Sequence, residues 1–177
     1  MRLFEKVRNL LVQGKLTLGK NASLVINSGA TEKEVDLNEL INTLDNTSRV
    51  EVLSAAKTLT AADSGKTFML ALAAGFAVTL PAPALGLNFK FVVSTAPTDG
   101  DYTIASNGGD NIIVIGVNEL DVDTGNNGPY DDNADLVTLV EDVAVKGDFV
   151  DVYACDGTSW YARGQTNADG GITTSTT

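Results

Sequence analysis

Histidine is absent from this 177-residue chain, and cysteine occurs once, as Cys155. The first absence removes the commonest general base and the commonest metal ligand together, so nucleophilic triads that use histidine are excluded. The second rules out an intrachain disulfide and any metal site built on two or four thiolates. Aromatic residues make up 6% of the chain and prolines number four, so a core has to be filled mostly by aliphatic and small side chains. No apolar run approaches the length of a membrane helix. The longest, residues 68–80 (FMLALAAGFAVTL), is about half that length and is interrupted by Gly75. The opening MRLFEKVRNLLVQGK places Glu5, Lys6 and Arg8 inside any apolar core of a leader, and no small-residue cleavage site follows, so no signal peptide is expected.

What is present is enough apolar material, 44% of residues, to bury a core. The length suits one ordinary domain with an additional arm. The net charge of −11 is unevenly spread. Residues 1–30 carry Arg2, Lys6, Arg8, Lys15 and Lys20 against Glu5, a balance of +4; the remainder therefore carries −15. An acidic body repels phosphate and argues against a nucleic-acid partner, while it favours solubility. The basic start suits an acidic surface, such as a partner protein.

The chain is organised around residues 58–93. A polar turn, Ala61-Ala62-Asp63-Ser64-Gly65, leads into the apolar run; Pro81 and Pro83 close it, and Gly86 opens a second run. Phe89, Phe91 and Val93 alternate with Asn88, Lys90 and Val92, the period of a strand with one buried face. Upstream, Leu3, Phe4, Val7, Leu10 and Leu11 fall on one face of a helix over residues 1–13, with Arg2, Lys6 and Arg8 at its rim and Gly14 as a stop. Leu16 and Leu18, then Leu24 and Ile26, alternate around a Gly19-Lys20-Asn21 turn and predict a hairpin. Residues 35–44 (VDLNELINTL), with Asp36 as N-cap, predict a second short helix. Downstream, strands are expected at 101–105, at 111–117 as a strand buried on both faces, at 136–140 with a continuation at 143–145, at 149–155 and at 160–163. Short strands with turn signals every eight to twelve residues point to an antiparallel β-sandwich or barrel-like body. The expected organisation is therefore mainly β: a helix–hairpin–helix arm over 1–50, a β-rich body over 51–163, and a flexible tail or swapped strand over 164–177.

The run Leu59-Thr60-Ala61-Ala62-Asp63-Ser64-Gly65-Lys66-Thr67-Phe68, followed by Val78-Thr79-Leu80-Pro81, Gly86 and Phe89, resembles a module that recurs in virion proteins of tailed bacteriophages, in head-decoration, head-fibre and tail-fibre chains. Gly147-Asp148-Phe149-Val150 and Asp156-Gly157-Thr158-Ser159-Trp160-Tyr161 resemble its closing strands. The resemblance spans roughly residues 53–163 and rests on small residues and turns, not on a catalytic signature. It implies a non-enzymatic structural protein on the capsid surface, a decoration or head-fibre chain, with trimers as the usual assembly and the major capsid protein or another virion protein as partner.

Chemistry is sought elsewhere in the chain with little return. The acidic segment 119–135 begins like a calcium loop, with Asp121, Asp123, Asp131 and Asp132 as candidate Ca2+ ligands. The pattern then departs from an EF-hand: Asn126 stands where glycine is required and Asp132 where glutamate is. A solvated acidic loop is the simpler account, and no other cofactor is expected. Asp63-Ser64-Gly65-Lys66-Thr67 has the end of a phosphate loop but Thr60 in place of its first glycine, so it reads as a turn entering a strand. Cys155 reads as a small core residue in a strand. Trp160 and Tyr161 are adjacent on a strand and must face opposite sides, one core and one surface. The expected attachment surface is Leu3, Phe4, Val7, Leu10 and Leu11 with Arg2, Lys6 and Arg8; no membrane partner is expected. The competing function is a receptor- or carbohydrate-binding tail-fibre module with an exposed aromatic and polar patch around Trp160 or Tyr161. An enzyme is the remaining alternative, and no motif supports it.

Overall fold

The structure is a computed structural model that describes residues 23–28, 31–36, 49–108, 111–120 and 128–176. The chain divides into two compact units, 1–45 and 46–177. In the first, β1 (Ser23–Ser28) and β2 (Thr31–Asp36) form an antiparallel hairpin, with Leu24 opposite Val35 and Ser28 opposite Thr31. The strand containing Leu24 and Ile26 is thus present, and its partner among the described residues is β2; the segment with Leu16 and Leu18, its predicted partner, lies outside the described residues. Val35 and Asp36 end β2 instead of starting a helix. The predicted helix over 1–13 and the rest of the one over 35–44 lie outside the described residues.

The second unit is mainly β. Its strands are β3 (Val50–Leu53), β4 (Lys57–Thr58), β5 (Thr67–Leu70), β6 (Phe76–Thr79), β7 (Asn88–Val93), β8 (Tyr102–Ala105), β9 (Ile113–Glu119), β10 (Tyr130–Ala134), β11 (Leu136–Leu139), β12 (Phe149–Tyr153), β13 (Trp160–Thr166) and β14 (Ile172–Ser175). They build two sheets, of order β10-β9-β13-β12-β7-β5-β3 and β14-β11-β8-β6-β4. The pairing is mixed, which corrects the antiparallel expectation. From β3 to β8 the chain alternates between the sheets, so each strand lies parallel to the one two before it: Val50 pairs with Thr67 and Thr67 with Lys90 in one sheet, Lys57 with Val78 and Val78 with Ile104 in the other. This half is a coil with two β faces. The chain then reverses, and β11 and β12 add antiparallel to β8 and β7.

The alternation in each strand puts its apolar residues inside. Phe68, Leu70, Leu80, Phe91, Val93, Ile104, Leu139, Val150, Trp160 and Ile172 are fully buried in one core fed by both sheets. Stacking equivalent positions on successive turns gives Phe68 over Phe91, rings 5.6 Å apart, and Phe76 edge-on to Tyr102 at 5.0 Å. Burying each such ring contributes on the order of 2–3 kcal/mol.

Four further expectations are corrected. β9 alternates buried and half-buried residues, so it is covered on one face only. Residues 143–145 are not strand: Ala144 N–H bonds Val140 C=O in a turn, because Asp148 caps Val145 N–H at 2.8 Å and redirects the chain. Cys155 is exposed in the loop after β12, which ends at Tyr153. Within the span expected as a tail, residues 164–176 are built into the body: Gly164 to Thr166 finish β13, and β14 pairs antiparallel with β11 of the same chain, with Ile172 fully buried. Ile172 in the core and the backbone ladder to β11, extended by Asp135 N–H to Ser175 C=O and Val140 N–H to Gly171 C=O, hold that strand.

Candidate ligand-binding face

The outer face of the seven-stranded sheet is ordered in cross-strand rows. One row is Val114, Tyr161, Tyr153 and Asn88, set by the β9–β13, β13–β12 and β12–β7 registers. The next is Gly116, Arg163, Asp151, Lys90, Thr67 and Val50. A third is Asn118, Gln165, Phe149, Val92, Met69 and Val52. Polar and aromatic side chains thus occupy the middle of the face, and an apolar row runs toward the β3 edge, where Val52 is 66% exposed.

The centre of the second row is a three-charge set. Asp151 accepts from Arg163 Nη2 at 3.1 Å and Nε at 3.2 Å, and its other oxygen lies 3.2 Å from Lys90 Nζ. Lys90 also sits 4.1 Å above the Phe149 ring centre, a cation–π contact. In the row beside it, Tyr153 and Tyr161 stack at 6.2 Å with 19° between planes. The Tyr161 ring is fixed from below: its hydroxyl donates to Asp156 Oδ2 at 3.0 Å, while Asp156 Oδ1 accepts Thr158 and Ser159 N–H at 2.8 and 2.7 Å. Those backbone N–H groups hold the Asp156 carboxyl down at about 2, and the carboxylate in turn pushes the Tyr161 hydroxyl above its ordinary value.

Two clefts open on this face. One, of about 390 Å³, is lined by Gly65, Lys66, Asn88, Lys90, Asp151 and Tyr153 among others. The second, of about 430 Å³, lies over Gly116, Gln165 and Phe149. Arg163 lines both.

The turn 61–65 behaves as predicted. Residues Ala61–Asp63 form a 3-10 turn in which Thr60 N–H and hydroxyl both bond Asp63 Oδ2 at 3.0 Å, and β5 follows. Asp63 and Glu51 share the ammonium groups of Lys57 and Lys66. Trp160 is fully buried, its ring N–H donating to Pro81 C=O at 3.3 Å, and Tyr161 takes the outer face, as adjacency on a strand requires. Of the candidate calcium ligands, Asp121 and Asp123 lie outside the described residues, as do the attachment residues Arg2, Leu3, Phe4, Lys6, Val7, Arg8, Leu10 and Leu11. Asp131 and Asp132 sit on β10, where Asp131 accepts Asn133 N–H at 2.9 Å in a local turn. Among the described residues no three acidic or thiol groups converge as a cation site would require. Sequence reading singled out Tyr161 but missed Lys90, Asp151, Tyr153 and Arg163, which only strand register brings together. The alternation in FVDVY already placed Asp151 and Tyr153 on one face; their partners on β7 and β13 carried no local signal.

Set against known protein families, curated proteins and solved structures, the chain matches none.

Proposed function

We propose that this chain is a non-enzymatic virion structural protein, a capsid decoration or head-fibre protein that binds the outer surface of a phage head as a trimer. The observation that carries the reading is where the residues of the phage-like pattern fall. Asp63 and Gly65 make the corner before β5, Val78 near the end of β6 and Leu80 just beyond it are buried in the core, Gly86 N–H bonds Ala154 C=O, and Asp148 clamps Val145, Thr166 and Asn167. The pattern is thus spent on the corners and ties of a two-sheet coil, which supports the reading of a stable displayed surface. On this reading the grip comes from apolar burial by Leu3, Phe4, Val7, Leu10 and Leu11, with Arg2, Lys6 and Arg8 steering, toward the major capsid protein. Many weak contacts repeated over a shell act together through avidity. The test is incorporation into particles: the full chain co-sediments with phage heads, and a chain lacking residues 1–13 keeps its β circular dichroism but stays in the supernatant. Normal incorporation of the truncated chain defeats the attachment role.

A second reading, a carbohydrate- or receptor-binding module, is favoured by one observation: Tyr153, 41% exposed, forms the wall of a polar cleft.

A further inference from the structure

We propose that the cleft between Tyr153 and Lys90 binds an anionic sugar, a carboxylated hexose unit within a longer glycan. The assignment rests on the carbohydrate-binding reading and names its site and the charge of its ligand. Three features of the cleft converge on that chemistry.

The first is a single open aromatic face. Tyr161 covers one side of Tyr153, and Tyr153, but not Tyr161, lines the cleft. The lateral neighbour on the other side is Asn88, a short amide that leaves the ring uncovered. A wall of this kind accepts the C–H face of a pyranose, an apolar surface with polar groups at its rim. The Asp156 bond to the Tyr161 hydroxyl, anchored by two backbone N–H groups, fixes the backing ring and so the wall. Little rotamer freedom is then lost on binding.

The second is the set of polar groups at the rim. Asn88 offers an amide, Asp151 an acceptor, and Lys90 and Arg163 offer donors of point-like and planar geometry respectively. A sugar ring presents both donors and acceptors, and this mixture meets both.

The third is charge. The charged groups on the cleft wall are Lys66, Lys90, Asp151 and Arg163. Lys66 belongs to the closed set with Lys57, Glu51 and Asp63, two cations against two anions. Lys90 and Arg163 share the one carboxylate of Asp151, leaving an excess of one positive charge. That excess stands on a protein whose net charge is −11. That local excess of positive charge favours a carboxylate on the ligand, and Arg163, 71% exposed, gives Nε and Nη2 to Asp151 and presents its outer Nη1–Nη2 edge to the solvent side for such a carboxylate. Because Arg163 also borders the cleft over Gly116, the face accommodates a glycan of more than one residue.

The experiment uses the full chain in its native assembly, probed on an array of matched neutral and uronic-acid oligosaccharides, then titrated with a trigalacturonate and with maltotriose by calorimetry. The expected result is at least fivefold tighter binding of the trigalacturonate. Tyr153→Ala weakens it at least tenfold, Tyr153→Phe by less than twofold, and Arg163→Gln abolishes the preference for the acid while the neutral sugar is unaffected. Both positions are exposed, and melting curves confirm that the variants are folded. Binding of both sugars with equal strength and with the same Tyr153 dependence overturns the anionic assignment and leaves the carbohydrate reading standing. Binding of neither sugar overturns both. If Tyr153→Ala or Arg163→Gln instead lowers the mass of the assembly, the face is a contact between copies, and the proposal falls.

Discussion

Gly75 and Tyr102 show how single residues fix the coil. Gly75 has φ 62°, and a Cβ there would lie 2.2 Å from Asp101 C=O and 2.3 Å from Gly100 C=O. Gly100, one coil turn on, has φ 138° and stands as close to Ala74 C=O, so the two corners stack backbone on backbone. Neither contact can relax by rotating a side chain. Gly75→Ala is therefore expected to cost about 3 kcal/mol or more, a fall in Tm of about 10 °C. Gly65→Ala is the control, because Gly65 has φ 84° but open space around it, so its cost is the conformational strain alone, about 1 kcal/mol. Equal losses in scanning calorimetry would refute the close-packed corner. Tyr102 ties the same corner from inside. It is fully buried; its hydroxyl accepts Leu72 N–H at 2.8 Å and donates to Leu72 C=O at 2.6 Å, with Thr95 C=O at 3.0 Å. Leu72 C=O also accepts Gly75 N–H at 3.0 Å, but Tyr102→Phe removes the hydroxyl that accepts Leu72 N–H and is expected to cost about 1–3 kcal/mol in urea unfolding, with an unchanged m-value.

At the scale of the element, the first coil turn is held by charge. Glu51 on β3 and Asp63 before β5 grip Lys57 and Lys66, with Lys66 Nζ 2.7 Å from Asp63 and 3.1 Å from Glu51. Burial works against the charged form of Asp63, but the Lys66 bond, the two Thr60 bonds and the Lys57 charge outweigh it and bring its pKa from 3.8 to about 2. The Lys57 hydrogen bond likewise lowers Glu51, and the Asp63 bond raises Lys66. A depressed carboxylate contributes stability that is complete above its unfolded pKa and is lost as pH falls through the folded value. The Asp63 contribution, on the order of 2 kcal/mol, should thus be whole at pH 6 and vanish toward pH 2. Net acidity complicates the raw curve, since protonation also relieves repulsion in a chain of −11. The clean measurement is the stability gap between the native chain and Asp63→Asn, which should shrink steadily from pH 5 to pH 2; a gap independent of pH would show that Asp63 acts only through shape. This element also shows what the sequence could and could not reveal. Alternation in NFKFVV and FVDVY made the strands and their buried faces legible, and the 61–65 turn was legible from its residues. Partner choice was not. A short turn between strands serves equally for a hairpin within one sheet and for an arch between two, and nothing local to residues 54–56 or 71–75 distinguishes them. The cue lay at longer range, in apolar positions that match on successive turns: Leu53, Leu70 and Val93 stack in register. The binding face was hidden for the same reason, because Lys90, Asp151 and Arg163 are neighbours only through β7, β12 and β13.

For the whole molecule, the decisive asymmetry is between a basic start of +4 and a remainder of −15. If attachment to a capsid rests on the apolar residues of the start, salt and truncation should separate two effects that a single binding constant merges. Charges at the rim of a contact, the role expected of Arg2, Lys6 and Arg8, contribute about 0–1 kcal/mol each at equilibrium, but they accelerate encounter with an acidic surface. Burying Leu3, Phe4, Val7, Leu10 and Leu11 contributes up to about 1.5–3 kcal/mol each, and salt leaves that term intact. Raising salt from 50 to 500 mM is therefore expected to slow association with phage heads roughly tenfold while dissociation stays nearly constant. Leu10→Asp should have the opposite signature, fast encounter and fast release, because it removes the apolar term and leaves the steering charge. Assembly of the free chain gives the internal reference. If the free chain assembles as the proposed trimer, three times the 18.5 kDa chain mass in light scattering, and its contacts are apolar, that mass should persist at both salt concentrations. Dissociation of the trimer in high salt would show that charge, and not apolar burial, holds the copies together.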